Sequence, residues 1–173
     1  MDLLTVILAA TIPAVLIIII VYLLIDKMLK AENTRRNFEI RKSSVQTMTP
    51  IRLKAYERMV ILLERINPES ILTRQNLKDM SALQLQSALL QQIRQEWEHN
   101  ISQQLYIKSD SWIMLRNAKE SMIQLINTCA AEATMNASAL DFAKLIIETY
   151  HSVEKTPLDA ALAMLKVDVA KMG

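Results

Sequence analysis

The chain has 173 residues, of which 51% are hydrophobic and 22% charged, and its formal net charge is +2. That balance excludes an intrinsically disordered chain, and one glycine with four prolines leaves few of the residues that hairpins need, so an all-α fold is expected. Cys129 is the only cysteine, which excludes an internal disulfide and predicts a small buried side chain with no basic neighbour to activate it.

Leu3 to Ile25 runs for 23 residues without a charge. As a helix it spans about 34 Å, slightly more than the roughly 30 Å hydrocarbon core of a bilayer. A cleavable signal peptide is the competing reading and needs a basic start and a small-residue cleavage site. Here the start is Met1-Asp2 and the run ends in Asp26-Lys27-Met28. Residues 1–25 are therefore expected to form a retained transmembrane anchor. Tyr22 suits an interfacial position, Pro13 allows a kink, and Ala10 with Ala14 forms one small-residue pair that permits close helix approach. The absence of ionisable groups from the run argues against ion conduction by this helix alone.

Residues 26–48 form a basic juxtamembrane neck. Lys27, Lys30, Arg35, Arg36, Arg41 and Lys42 stand against Asp26, Glu32 and Glu39, whereas residues 50–173 are electrically neutral. Basic residues just past the span predict an outward N-terminus and a cytoplasmic domain at the inner membrane. The same six residues are candidates for contact with anionic lipid headgroups, at about 1 kcal/mol for each one near the surface. They equally serve to set topology and solvate a stalk. Met28, Leu29, Ala31, Phe38, Ile40, Val45 and Met48 hold no heptad seam, so a coiled-coil stalk is not expected. A neutral domain without a nucleic-acid-binding motif argues against a nucleic-acid partner.

Residues 49–173 read as a bundle of about four to five helices. Thr49-Pro50 has the form of a helix start, followed by Ile51, Ala55, Tyr56, Met59, Leu62, Leu63 and Ile66 at helical spacing and ended by Asn67-Pro68. Glu69 to Met80 reads as a connection or short helix. Ser81-Ala82-Leu83-Gln84 is a capping-box pattern before Leu85, Leu89, Ile93, Trp97, Ile101 and Leu105. Strict four-residue spacing drifts by about 40° per step. Either the two ends meet different neighbours or the helix breaks near Asn100, and the expectation is a long helix wrapping across the bundle. Gln84, Gln86, Gln91, Gln92, Gln95, Gln103 and Gln104 make an amide-rich face. Ser109 or Asp110 caps the next helix, running to about Thr134. Asn136 and Ser138 start another, expected to be central, and Thr156-Pro157 starts the last, ending near Lys171 with Leu158, Ala161, Leu162, Leu165 and Val169 inward.

The chemistry-bearing residues are sparse. Glu96 with His99, and Glu148 with His151, repeat the EXXH spacing of di-iron helical bundles. The two further glutamates such a site needs have no positional signal, so surface residues are the expected outcome and a metal enzyme is the alternative. Gly173 is the only glycine, which leaves no phosphate-binding loop, and no Ser-His-Asp or Cys-His arrangement emerges from spacing.

The block Leu89-Leu90-Gln91-Gln92-Ile93-Arg94-Gln95-Glu96, continued by His99-Asn100-Ile101-Ser102-Gln103-Gln104-Leu105-Tyr106, resembles small single-pass membrane proteins of unknown function from Bacteroidota. The resemblance implies a bacterial inner membrane and a cytoplasmic domain, and carries no catalytic residue. The expected function is a non-enzymatic membrane-tethered adaptor or accessory subunit without a cofactor. Its expected partners are the lipid bilayer and another membrane-associated protein, or a second copy.

Overall fold

The computed structural model describes residues 3–133 and 137–172, and side chains for these except residues 3–14 and Asp79. Asn136 as a helix start, the acidic Asp2, and the side chains of Ala10, Pro13 and Ala14 therefore lie outside the described residues. The chain divides into two compact units, Met1–Met48 and Thr49–Gly173.

Helix α1 covers Leu3–Ile66. The first unit contains its earlier part, where Val15 to Ile25 are exposed all round. Beyond it, Asp26 pairs with Lys30 at 2.7 Å and Glu39 with Arg35 at 3.0 Å, both one helical turn apart. Among the described residues no helix is long and apolar enough to cross a membrane. Only the back half of the Leu3–Ile25 run has described side chains.

The second unit begins with the last turns of α1. Thr49-Pro50 does not start a helix, because α1 runs through it. Proline removes one amide donor, but its ring already holds a helical φ, so the helix continues through Pro50. From there Ala55, Tyr56, Met59, Leu62, Leu63 and Ile66 are buried, following the 3.6-residue period. Asn67 then caps α2 (Pro68–Leu72) by accepting from the Glu69 amide, and a single 3-10 turn, Leu77–Asp79, follows.

Helix α3 (Ala82–Asn100) starts at a complete capping box between Ser81 and Gln84. It ends where the four-residue spacing has rotated its stripe off the core. Asn100 is buried and donates from Nδ2 to the Glu96 carbonyl at 2.8 Å, so its side chain competes with the helical ladder. A 3-10 segment, Ile101–Leu105, takes over, leaving Ile101 and Leu105 exposed. The long continuous helix is thus replaced by a break at Asn100.

Helix α4 (Ser109–Glu132) is preceded by Lys108 at the cap position, with no side-chain cap from Ser109 or Asp110. Ser138 caps α5 (Ala139–His151), and Thr156 with Asp159 forms the capping box of α6 (Pro157–Ala170). α4 packs on α3, α5 and α6. It takes the central place expected of α5, whose Leu140 faces solvent. A lone antiparallel bridge between Ser81 and Ser138 ties the starts of α3 and α5, using the amides of Ala82 and Ala139. No strand forms among the described residues. Across α3 and α4, Gln86 donates to Asn127 at 3.0 Å, and Gln75 donates to Gln92 at 2.8 Å. Part of the amide-rich face is therefore packing polar groups inside the domain.

Leu89 is fully buried and Leu105 is 79% exposed, although both belong to one sequence stripe. Leu89→Ala is expected to cost about 3 kcal/mol in denaturant unfolding, and Leu105→Ala less than about 0.5 kcal/mol. Equal losses would contradict the break at Asn100.

Candidate functional site

The most unusual chemistry in the domain lies around Asp168, which neither histidine nor a sequence motif announces. Leu158, Ala161 and Leu165 put the inward face of α6 at steps of three and four residues, and Asp168 continues it. Its side chain is thus forced into the core, at 2% exposure. An ionised carboxylate there needs donors. Tyr56 of α1 donates through its hydroxyl at 3.0 Å, Ser111 of α4 through Oγ at 2.5 Å, and Lys108 through Nζ at 2.8 Å. The Tyr56 oxygen in turn accepts from the Lys108 amide at 3.2 Å. Close by, Arg52 Nε donates to the Tyr106 carbonyl at 3.3 Å.

Burial pushes the Asp168 carboxyl upward, but the bonds from Lys108, Ser111 and Tyr56, with the Lys108 charge, outweigh it and hold the group below the usual carboxylate range. Burial raises the Tyr56 phenol, which keeps it a neutral donor at neutral pH. Ser111 is 1% exposed, so its hydroxyl has no path to a substrate. The cluster is a joint between α1, α4 and α6. Val169, expected inward, is only half-buried, and Asp168 takes the place beside Leu165.

The sequence-predicted metal candidates are scattered among other partners. Glu96 accepts both of its hydrogen bonds from Arg65 Nη1, at 3.0 and 3.2 Å, and His99 is exposed. His151 meets Glu69 at 2.9 Å through Nε2, and Glu148 is exposed. Among the described residues, no three His, Cys, Asp or Glu side chains converge as a metal site. Cys129 is fully buried, with Sγ 3.6 Å from the Thr149 hydroxyl, and burial raises its thiol.

The basic neck has an order that counting did not reveal. At 100° per residue, Lys27, Lys30, Arg35, Arg41 and Lys42 fall within an arc of roughly 140° on α1, with Arg36 opposite. Phe38 and Val45, both exposed, lie in the middle of that arc. Asp26 and Glu39 neutralise Lys30 and Arg35. Lys27, Arg36, Arg41 and Lys42 form no ion pair among the described residues.

A groove of about 290 Å³ lies between α4, α5 and α6, lined by Ser121, Leu125, Thr128, Tyr150 and Val153 among others. Three of its hydroxyls are engaged within the domain: Tyr150 with Thr156 at 3.3 Å, Thr149 with the Leu145 carbonyl at 2.8 Å, Ser152 with the Thr149 carbonyl at 2.8 Å.

The depressed pKa of Asp168 fixes a sign. Its contribution to stability is complete above the ordinary carboxylate value of about 4 and is lost as pH falls through the lower folded value. Asp168→Asn is expected to cost about 2 kcal/mol at pH 7 in denaturant unfolding. The gap to wild type should narrow as the pH drops below about 4. A gap unchanged between pH 7 and pH 3 would contradict the joint.

No curated protein and no solved structure matches the chain. Residues 2–172 match DUF7935, a family of unknown function, and the chain belongs to that family.

Proposed function

We propose that this protein is a non-enzymatic, membrane-tethered helical adaptor that holds a partner at the cytoplasmic face of a bacterial inner membrane. The observation that carries this reading is the charge-free run Leu3–Ile25, whose described part, Val15–Ile25, is apolar and uncovered on every side of α1. Covering each half-exposed aliphatic side chain is worth about 1–2 kcal/mol. Summed over that segment, this rivals the entire stability of a typical domain, about 5–15 kcal/mol. Water is therefore the wrong solvent for it, and a bilayer is the simplest cover.

The adaptor assignment follows from where the polar chemistry goes. The buried carboxylate is consumed by a structural joint, and in the two EXXH pairs Glu96 engages Arg65 and His151 engages Glu69. What the domain offers to its surroundings is surface. Basic residues just after the run support a cytoplasmic domain.

A second reading, contact with anionic lipid, is favoured by the one-sided array of basic residues. Its reach is limited by helix rise. If α1 crosses a bilayer, Lys27 and Lys30 stand within about 8 Å of Ile25, whereas Arg41 and Lys42 stand about 25 Å beyond it. The latter distance is more than two Debye lengths at physiological salt. Lipid contact therefore falls to Lys27 and Lys30, and the distal neck is left for protein.

In a bacterial host, the full chain is expected to sediment with membranes and to stay there through an alkaline carbonate wash. Recovery in the soluble fraction without detergent would end the tether proposal. For the lipid reading, the full chain in detergent is expected to lose affinity for anionic vesicles on Lys27→Ala with Lys30→Ala, by about 1 kcal/mol, because Asp26 already offsets Lys30. Unchanged binding would remove it.

A further inference from the structure

The side of α6 opposite its core face is unpartnered and apolar. Leu158, Ala161, Leu165 and Asp168 point inward. Ala163 and Val167 therefore head the outer face, with Val167 47% exposed. Ala160 and Met164 flank them, and beside these α4 contributes Ile113, 45% exposed, so that one shallow groove joins the two helices. Alanine at the middle of such a face lets a second helix approach to about 8 Å between axes.

Charge spacing identifies the occupant. Asp159 and Lys166 lie seven residues apart, two turns of helix, on the same flank of that face, and Ala163 stands between them. Turning α6 end for end about Ala163 sets Asp159 of each copy beside Lys166 of the other, so one crossing makes the pair twice. Self-complementarity of this kind is what a two-fold interface requires. Both groups are available for it. Lys166 is exposed and forms no ion pair among the described residues, and the hydrogen bonds Asp159 accepts from Thr156 use Oδ2. Antiparallel packing also opposes the two helix dipoles.

We propose that α6 packs antiparallel against α6 of a second copy of this chain, crossing at Ala163, with reciprocal Asp159–Lys166 pairs at the flanks. The interface does not depend on the membrane reading, because it uses only residues of the Thr49–Gly173 unit.

The test uses the full chain, purified in detergent, with Cys129→Ala removing the native thiol. Mild oxidation of Ala163→Cys is expected to give a disulfide-linked dimer on non-reducing gels. Leu83→Cys, at an α3 position 71% exposed, measures chance encounter and is expected to give several-fold less. Adding Lys166→Glu to Ala163→Cys should lower the dimer yield about fivefold, the effect of two exposed ion pairs. Combining it with Asp159→Lys should restore the yield. Raising the salt from about 0.05 to 1 M should also lower the yield of the unswapped chain. Equal yields from Ala163→Cys and Leu83→Cys would overturn the dimer. A yield unmoved by both Lys166→Glu and salt would overturn the pairing, a decision that stands even if Asp159→Lys uncaps α6 in circular dichroism.

Discussion

A carboxylate in an apolar core stays ionised only where donors replace the water it has lost, and in this protein that requirement fixes how three helices meet. Asp168 is met by Tyr56, Lys108 and Ser111, which come from α1, the turn before α4, and α4 itself. Each donor has its own reach, so a slip of any of these helices by one residue would leave a charge buried and unpaired. A loss of that kind costs about 3–5 kcal/mol, a large share of a domain's margin. Apolar packing around Leu89, Leu115 and Leu165 supplies the bulk of the stability, but such packing tolerates sliding. The polar joint selects one register among those the core would accept. It also ties the closing turns of α1 to the last helix in the chain.

Much of this fold was legible in the residues because helices announce themselves locally. Ser81 with Gln84, Ser138, and Thr156 with Pro157 and Asp159 mark helix starts through hydrogen bonds that span only a few residues. Burial of Ala55 through Ile66 follows a period that a linear reading recovers. What was illegible depends on distant parts of the chain. Thr49-Pro50 has the chemistry of a helix start, but proline also tolerates a helix that arrives from upstream, and α1 arrives. Asp168 sits at a core position by spacing, yet its donors Tyr56 and Lys108 stand 112 and 60 residues away. The EXXH repeats were visible as strings, but the partners that claim them, Arg65 and Glu69, come from the end of α1 and from α2. The place of α4 at the centre, rather than α5, likewise depends on which faces meet.

The two units differ in how they carry charge. The Thr49–Gly173 unit is neutral and hides its one demanding charge. In the Met1–Met48 unit, the helix changes from uncharged to basic within a single turn, at Asp26-Lys27. Beyond that boundary, Lys27, Arg41 and Lys42 gather on one side with Phe38 and Val45 between them. That face combines exposed apolar groups with cations that form no ion pair among the described residues. The adaptor proposal joins these observations, with an apolar run for address, a basic helix for approach, and a rigid neutral bundle as the body presented.

The tether proposal places the bundle on the cytoplasmic side of a bilayer. Protease added to intact spheroplasts of a bacterial host, then to the same cells after permeabilisation, reads this directly through an antibody to the Thr49–Gly173 region. Protection until the membrane is breached, followed by loss of the fragment, is the result expected of a cytoplasmic domain on a retained anchor. Digestion in intact spheroplasts would contradict the orientation, and release of the whole chain on gentle lysis would contradict the anchor.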